Sequence, residues 1–228
     1  KVVTDIQTKL LFAAPNVYKM SFERKNLAYI VQHTEDKPQE LLNIFHQIEG
    51  SAIVYTRNRD KTRETATWLT ENGIPALHYH AGLDNTDKDL RQNLWQKGEV
   101  RVIVATNAFG MGIDKANVRL VVHLDMPDSP EAYFQEAGRA GRDGKDAFAF
   151  LLYNRGDRTK LLKRIHETFP PKEYIKKVYE DISFYYQMAV GDGYNVTYEF
   201  NETDFCTKFK HFPVPLESAL NILTRANY

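Results

Sequence analysis

The sequence has 228 residues, 43% hydrophobic and 26% charged, which is typical of one large globular domain or one domain and part of another, and excludes a disordered chain. No apolar run reaches the roughly 20 residues of a membrane span, and the single cysteine, Cys206, excludes an internal disulfide and a four-cysteine zinc site, which favours a soluble protein in a reducing compartment. Because 30 Lys and Arg balance 30 Asp and Glu, net charge alone does not indicate a nucleic-acid-binding protein.

Strand-like and helix-like segments alternate between residues 26 and 153. Several strand candidates are continuous β-branched runs, which are typical of strands covered on both faces of a parallel sheet. The predicted strands are residues 26–33, 51–56, 76–80, 100–106, 118–125 and 147–153, and the predicted helices are 38–49, 61–72, 84–97 and a short helix from Pro130. This alternation predicts an α/β fold with a doubly wound, mostly parallel sheet.

The pattern changes after residue 153. Residues 155–177 carry eight Lys or Arg against three acids, whereas residues 178–206 carry six acids and no Lys or Arg. We expect a basic helix over 155–177 and an aromatic helical stretch that Gly191 ends. Two short helices are predicted at 202–208 and 216–226, and the turn between them suggests a helix-turn-helix.

The glycine-rich segment 135–144 follows a predicted strand and the short helix from Pro130. It carries Arg139 and Arg142, which would share one helical face if that helix continued. Glycines allow a backbone to approach a ligand closely, and a guanidinium can bind two phosphate oxygens at once. The segment therefore predicts a phosphate site; the alternative is a tight turn whose arginines are solvated.

Three other polar segments also follow predicted strands. Thr106 could bond a phosphate and Asp114 could accept from a ribose hydroxyl, although Asp114 could instead cap a crossover. Residues 55–59 and 78–84 each lead into a helix, whose first N–H groups attract anions. Because the carboxyl ends of parallel strands meet at one edge, we expect these segments to lie together.

Taken together, the segments resemble the second RecA-like domain of superfamily 2 helicases, and most closely the RecQ family of DNA helicases. The combination of ATxAFGMGI and QExGRAGRDG is far more specific than a single glycine-rich loop. The resemblance covers residues ~20–153 well and the remainder more loosely. The residues that carry it are 55–59, 80–83, 105–106, 108–114, 118–119, Tyr133 and 135–144.

The resemblance implies an enzyme that couples hydrolysis of ATP, with Mg²⁺, to 3′-to-5′ unwinding of DNA between two RecA-like lobes. The P-loop and the Asp-Glu-x-His box of the first lobe do not occur in these residues. We therefore expect residues 1–25 to end the first lobe, 26–153 to form the second, and the chain to be inactive without the upstream lobe. The implied partners are that lobe and single-stranded and duplex DNA, and no membrane. The implied location is inside the cell, in a nucleoid or a nucleus. The implied process is DNA repair or recombination.

The resemblance also implies residue roles. Arg142 would be the arginine finger, with Arg139 and Gln135 as catalytic partners at the cleft between lobes. Asp114, Gly112, Arg139 and Arg142 would meet the nucleotide. Arg57 and Asn58 differ from the family's usual Asn-Ser pair. The residues expected to contact nucleic acid are Asn58, Arg59, His80, Gly82 and Thr106.

Many RecQ proteins carry four zinc-binding cysteines after this lobe, whereas this sequence has Cys206 alone. We expect no metal, since His78 and His80 also lack a third ligand at matching spacing. Residues 154–194 would form a helical region in place of the zinc-binding subdomain. Its expected packing side chains are Tyr174, Tyr179, Ile182, Tyr185 and Tyr186.

Residues 195–228 would begin a truncated winged-helix domain, in which His211 either contacts a DNA phosphate or lies in a solvated turn. Two other functions compete with the helicase interpretation. One is a non-catalytic nucleic-acid-binding module that kept the fold. The other is an RNA helicase or a DNA translocase of the same superfamily.

Overall fold

Six parallel strands form one sheet in the computed structural model, which describes residues 2–14, 17–18, 21, 23–110, 113–192 and 196–227. The strand order is β1-β6-β5-β2-β4-β3, and neighbouring strands pair in parallel. The predicted strands are confirmed to within two residues at each end. They are β1 (Leu27–His33), β2 (Ser51–Tyr55), β3 (Ala76–Tyr79), β4 (Val102–Ala105), β5 (Val118–His123) and β6 (Ala147–Tyr153).

The helices of the lobe begin at capping side chains that the sequence provides. Asn58 Oδ1 accepts from the amide of Asp60, and Asp84 Oδ1 accepts from the amide of Asp87, so each satisfies a free N–H at a helix start. Gly98 ends the helix that Asp84 caps and adopts the left-handed conformation. The helices are α1 (Val2–Lys9), α2 (Lys37–Gln47), α3 (Arg59–Glu71), α4 (Asn85–Lys97) and α5 (Pro130–Ala137).

Both faces of the sheet are covered, as the apolar strands predict. Successive strand residues point to opposite faces, so Val54 packs with Leu41 and Leu69 of α2 and α3, while Ile53 packs on the other side with Trp95 of α4. Ala137 of α5 joins this second layer. The fold is therefore an α/β lobe with helices on both sides of a parallel sheet, which confirms the predicted class.

The single basic helix expected over 155–177 is wrong. Two helices occupy this stretch, α6 (Arg155–Thr168) and α7 (Lys172–Tyr185), separated by Pro170 and Pro171. Proline lacks the amide that continues a helix, so two in a row end α6. The helix α7 also ends before Gly191, at a turn where Gln187 has positive φ.

A buried ion pair attaches α6 to the lobe. Lys37 Nζ donates to Asp157 Oδ2 at 2.5 Å and to the Leu124 carbonyl at 2.5 Å, and the Asp157 side chain is 5% exposed. Asp157 also accepts from the amide of Asn154 and completes a capping box. Arg164 donates to the Met126 carbonyl at 3.3 Å, so α6 packs beside the carboxyl end of β5.

The remaining helices, α8 (Glu202–Phe209) and α9 (Pro213–Arg225), pack with α7 around an apolar cluster. Its fully buried members are Val178, Phe205, Leu216 and Ala219, and three of the predicted packing side chains, Tyr174, Ile182 and Tyr185, lie against it. The predicted start of α9 at residue 216 is three residues late. Lys210–Phe212 joins α8 to α9, while the winged-helix assignment and the boundary at residue 195 stay predictions.

His211 does not lie in a solvated turn or at a phosphate-binding surface. Its side chain is buried between the rings of Tyr174 and Phe205, and its Nε2 lies 2.8 Å from Asp181 Oδ2. Both alternatives for this residue are therefore wrong, because it links α7 to the turn before α9. None of the helices in the ranges above has the length and apolar content that a bilayer crossing requires.

Candidate functional site

Four strands end at one level of the sheet. Strand pairing places Tyr79 beside Ala105, Ala105 beside Tyr55, and Tyr55 beside His123, and these are the last residues of β3, β4, β2 and β5. The polar segments that follow them therefore start side by side, as expected for a parallel sheet. A small cleft opens there, and its lining includes Thr56, Arg57, Thr106, Asn107, His123, Asp125 and Glu136.

Arg139 is buried against Gly110, in the segment that follows β4. Its side chain follows α5, which ends at Ala137, and its Nη1 donates to the Gly110 carbonyl at 2.6 Å. The residue is only 8% exposed, and a Cβ on Gly110 would collide with its guanidinium. Glycine at 110 is thus required for this close approach. Gln135 lies exposed on α5.

Arg142 does not contact Gly110 but bonds to the end of the same segment, at residues 113 and 114. Its Nη1 donates to the Ile113 carbonyl at 3.1 Å and to Asp114 Oδ1 at 2.9 Å, and the side chains of Arg142 and Asp114 are 36% and 86% exposed. Gly141, with φ +65°, turns the backbone between the two arginines, so they do not share one helical face. The predicted site residue Gly112 lies outside the described residues.

The start of α3 meets the carboxyl end of β3, and this brings together Arg59, His80 and Gly82. A Cβ on Gly82 would lie 2.8 Å from Arg59 Nη1 and 3.4 Å from His80 Nδ1, so the guanidinium rests directly over the glycine. Burial, and then the nearby Arg59, lowers the pKa of His80. A neutral imidazole beside a guanidinium can offer a hydrogen bond to an anion without adding a second charge.

The side chains of the other two expected nucleic-acid residues accept hydrogen bonds from nearby backbone amides. Thr106 is 8% exposed, and its Oγ1 accepts from the amide of Ala108 at 3.4 Å. The Asn58 side chain accepts from the amide of Asp60 at 2.7 Å as the cap of α3. In this structure both side chains hold the local backbone at the start of a polar segment.

The sequence motifs do not predict a buried pair formed by His123 and Glu136. His123, 1% exposed, has its Nε2 2.8 Å from Glu136 Oε2, and its ring stacks on Tyr55 with centroids 5.2 Å apart. The Tyr55 hydroxyl donates to the Phe109 carbonyl at 2.9 Å. A histidine ending an apolar strand, with an acid in the next helix, was the available signal, but neither spacing nor charge distinguishes it from a surface histidine.

The sequence and structure match known helicases. The model of the helicase conserved C-terminal domain matches residues 36–144. Over 165 residues the chain is 44% identical to the ATP-dependent DNA helicase RecQ of Pasteurella multocida, covering 72% of this chain and 26% of that protein. Over 170 residues it is 39% identical to the RecQ-like DNA helicase BLM of Xenopus laevis, covering 72% of this chain and 12% of that one. The chain belongs to the RecQ family.

Solved structures show the same lobe. The E. coli DEAD-box protein SrmB superposes with a TM-score of 0.55 at 28% identity, covering 63% of this chain and 85% of that one. A DEAD box protein from Methanococcus jannaschii gives a TM-score of 0.52 at 27% identity, covering 64% and 41%. The RecQ-family chain therefore contains the RecA-like C-terminal helicase domain of superfamily 2, and it spans about a quarter or less of the length of the two relatives named above.

Proposed function

We propose that this chain serves an ATP-dependent DNA helicase that unwinds in the 3′-to-5′ direction, and that it works with a second lobe bearing the P-loop. The observation that carries the proposal is the different placement of two arginines in one motif. Arg142 lies half-exposed beside the exposed Asp114, whereas Arg139 is buried against Gly110. One arginine can meet a ligand, and the other builds the surface that presents it.

The donor set of Arg142 and Asp114 fits a nucleoside triphosphate. A guanidinium presents a planar fork to phosphate oxygens, and an exposed carboxylate can accept from ribose hydroxyls. Arg142 and Asp114 pair with each other at 2.9 Å here, so they would separate to bind the phosphate and the ribose of the ligand. ATP supplies the phosphoryl bond whose hydrolysis drives unwinding. Arg142 would act as the arginine finger, and Arg139 would fix the loop that follows β4 through the Gly110 carbonyl. Gln135, on α5, would line the cleft between the two lobes. Gly112 would complete the nucleotide site.

Metal ligands would come from outside this surface. Across the described ranges, no three His, Cys, Asp or Glu side chains converge to hold a cation, so the Mg²⁺ that accompanies ATP would be bound by the P-loop lobe. The expectation that the helical region works without zinc stays a prediction.

DNA would lie across the ends of β3 and β2. Arg59 and His80 would bind backbone phosphates, while Gly82 allows that backbone to come close. Asn58 and Thr106 would act by shaping the polar segments, since their side chains bond to local amides.

The arginine finger is tested by Arg142→Ala in a protein that joins this chain to its P-loop lobe. We expect ATP turnover to fall by roughly 10³–10⁵-fold, as for other arginine fingers, with the Kd for single-stranded DNA unchanged within twofold. Arg63→Ala, an exposed arginine of α3 paired with Asp60, is the control and should leave turnover intact. Turnover within threefold of the parent would refute the assignment, and strand displacement on DNA and RNA duplexes would identify the nucleic acid.

A further inference from the structure

The loop 106–114 connects the two proposed sites. It begins at Thr106, at the carboxyl end of β4, and ends at Asp114, which pairs with Arg142 at the proposed nucleotide site. The far end is held by Arg142 through the Ile113 carbonyl and the Asp114 carboxylate. Contacts that hold Phe109 and Gly110 therefore constrain the described part of the loop next to Thr106.

Two buried side chains donate hydrogen bonds to the successive carbonyls of Phe109 and Gly110. The Tyr55 hydroxyl donates to the Phe109 carbonyl at 2.9 Å, and Arg139 Nη1 donates to the Gly110 carbonyl at 2.6 Å. Tyr55 is 3% exposed, and burial raises the pKa of its phenol well above the usual range, so the hydroxyl keeps the proton that it donates.

The ring of Tyr55 is itself fixed by a polar pair on the neighbouring elements. Strand register places Tyr55 beside His123, and the two rings stack with an interplanar angle of 22°. His123 bonds Glu136 of α5, three residues before Arg139, so a contact path runs from β2 through β5 to the segment that carries both arginines.

We propose that Tyr55, held by the His123–Glu136 pair, is a positioning residue that fixes residues 106–110 so that nucleic-acid contact at Thr106 moves Arg142. The effect on Arg142 rests on the proposed function, whereas the contacts of Tyr55 do not. The alternative is that Tyr55 contributes one core hydrogen bond and nothing more. Tyr55→Phe distinguishes the two, because it deletes the hydroxyl and keeps the ring that stacks on His123.

Tyr133→Phe is a matched control. Tyr133 lies edge-on to the same histidine, with centroids 5.1 Å apart, and its hydroxyl is buried without a partner among the described residues. In this chain alone, we expect amide hydrogen exchange of residues 106–110 to accelerate at least ~5-fold in Tyr55→Phe, the equivalent of one lost hydrogen bond, and not in Tyr133→Phe. Unchanged exchange of the loop in Tyr55→Phe would overturn the proposal.

The second measurement is the ratio of DNA-stimulated to basal ATP turnover in the protein joined to its P-loop lobe. We expect the ratio to fall ~5–10-fold in Tyr55→Phe, with the KM for ATP and the Kd for DNA within twofold. Glu136→Ala should lower it similarly, whereas Glu136→Gln, which keeps an oxygen that accepts from His123, should restore it. A ratio equal to that of Tyr133→Phe would leave Tyr55 a core residue only. Absence of any ATP turnover in the parent protein would instead refute the proposed function. The amide hydrogen exchange measured in this chain would still test the positioning role of Tyr55.

Discussion

The different placement of the two arginines predicts unequal losses of stability when each is replaced. Arg139→Met deletes a charged hydrogen bond to the Gly110 carbonyl at 2.6 Å, and such bonds contribute ~1.5–3 kcal/mol. Part of that loss is offset, because Arg139 Nε is buried without a partner among the described residues and methionine removes this desolvated group. We therefore expect Arg139→Met to lower the free energy of unfolding by about 1–3 kcal/mol.

Arg142→Met is the matched comparison in the same motif. The Arg142 side chain is 36% exposed, and its partner Asp114 is 86% exposed, so solvent screens the pair and its loss should cost only about 0–1 kcal/mol. Catalysis should show the reverse order in the protein joined to its P-loop lobe. There Arg142→Met abolishes turnover and leaves stability intact.

Urea unfolding of this chain, followed by circular dichroism, measures the difference. For a chain of this size, 1 kcal/mol corresponds to roughly 2–4 °C in Tm, so the two variants should separate in a thermal scan as well. Equal destabilisation by both substitutions would contradict the reasoning, because it would mean that Arg142 is as structural as Arg139.

Two further predictions concern the edge at β3. Arg59→Ala should weaken binding of single-stranded DNA and reduce the slope of log K against log salt by about 0.7, the value for one lost phosphate contact, whereas Arg63→Ala on the same helix should change neither. Burial, and then the nearby Arg91, lowers the pKa of His78 to about 4. Between the ordinary pKa of about 6.5 and this value the unfolded chain binds a proton that the folded chain does not, so stability falls as the pH falls through that window. In His78→Gln, urea midpoints should depend less on pH from 6.5 to 4, and an unchanged dependence would contradict the assignment.

The sheet could be predicted from the sequence because both of its faces are buried. Runs such as residues 102–105 must be apolar on both sides, and short links leave few topologies for such strands. Pro170 and Pro171 also predict the break between α6 and α7, whereas the charge pattern over 155–177 suggests one continuous helix. Backbone constraints of this kind outweigh composition, since charge is compatible with many conformations and consecutive prolines are not.

The site could be predicted only in part, for a physical reason. The motif identifies both arginines, but their directions depend on Gly141, whose positive φ turns the backbone after α5 ends. The roles of Tyr55 and His123 depend on the pairing of β2 with β5, a contact between residues far apart in the chain. Local pattern therefore finds the groups that meet a ligand more readily than the groups that hold them.

The balanced charge of the chain has a structural explanation at the sheet edge. Arg57 pairs with Asp128, and Lys61 Nζ lies 2.7 Å from Asp125 Oδ1, so these cations already have counter-charges. A phosphate approaching them would have to displace a carboxylate, whereas Arg59 rests over Gly82 at the opening next to His80. Under the proposed function, affinity for DNA would thus depend on a few placed groups, and a net charge of zero does not argue against a nucleic-acid site.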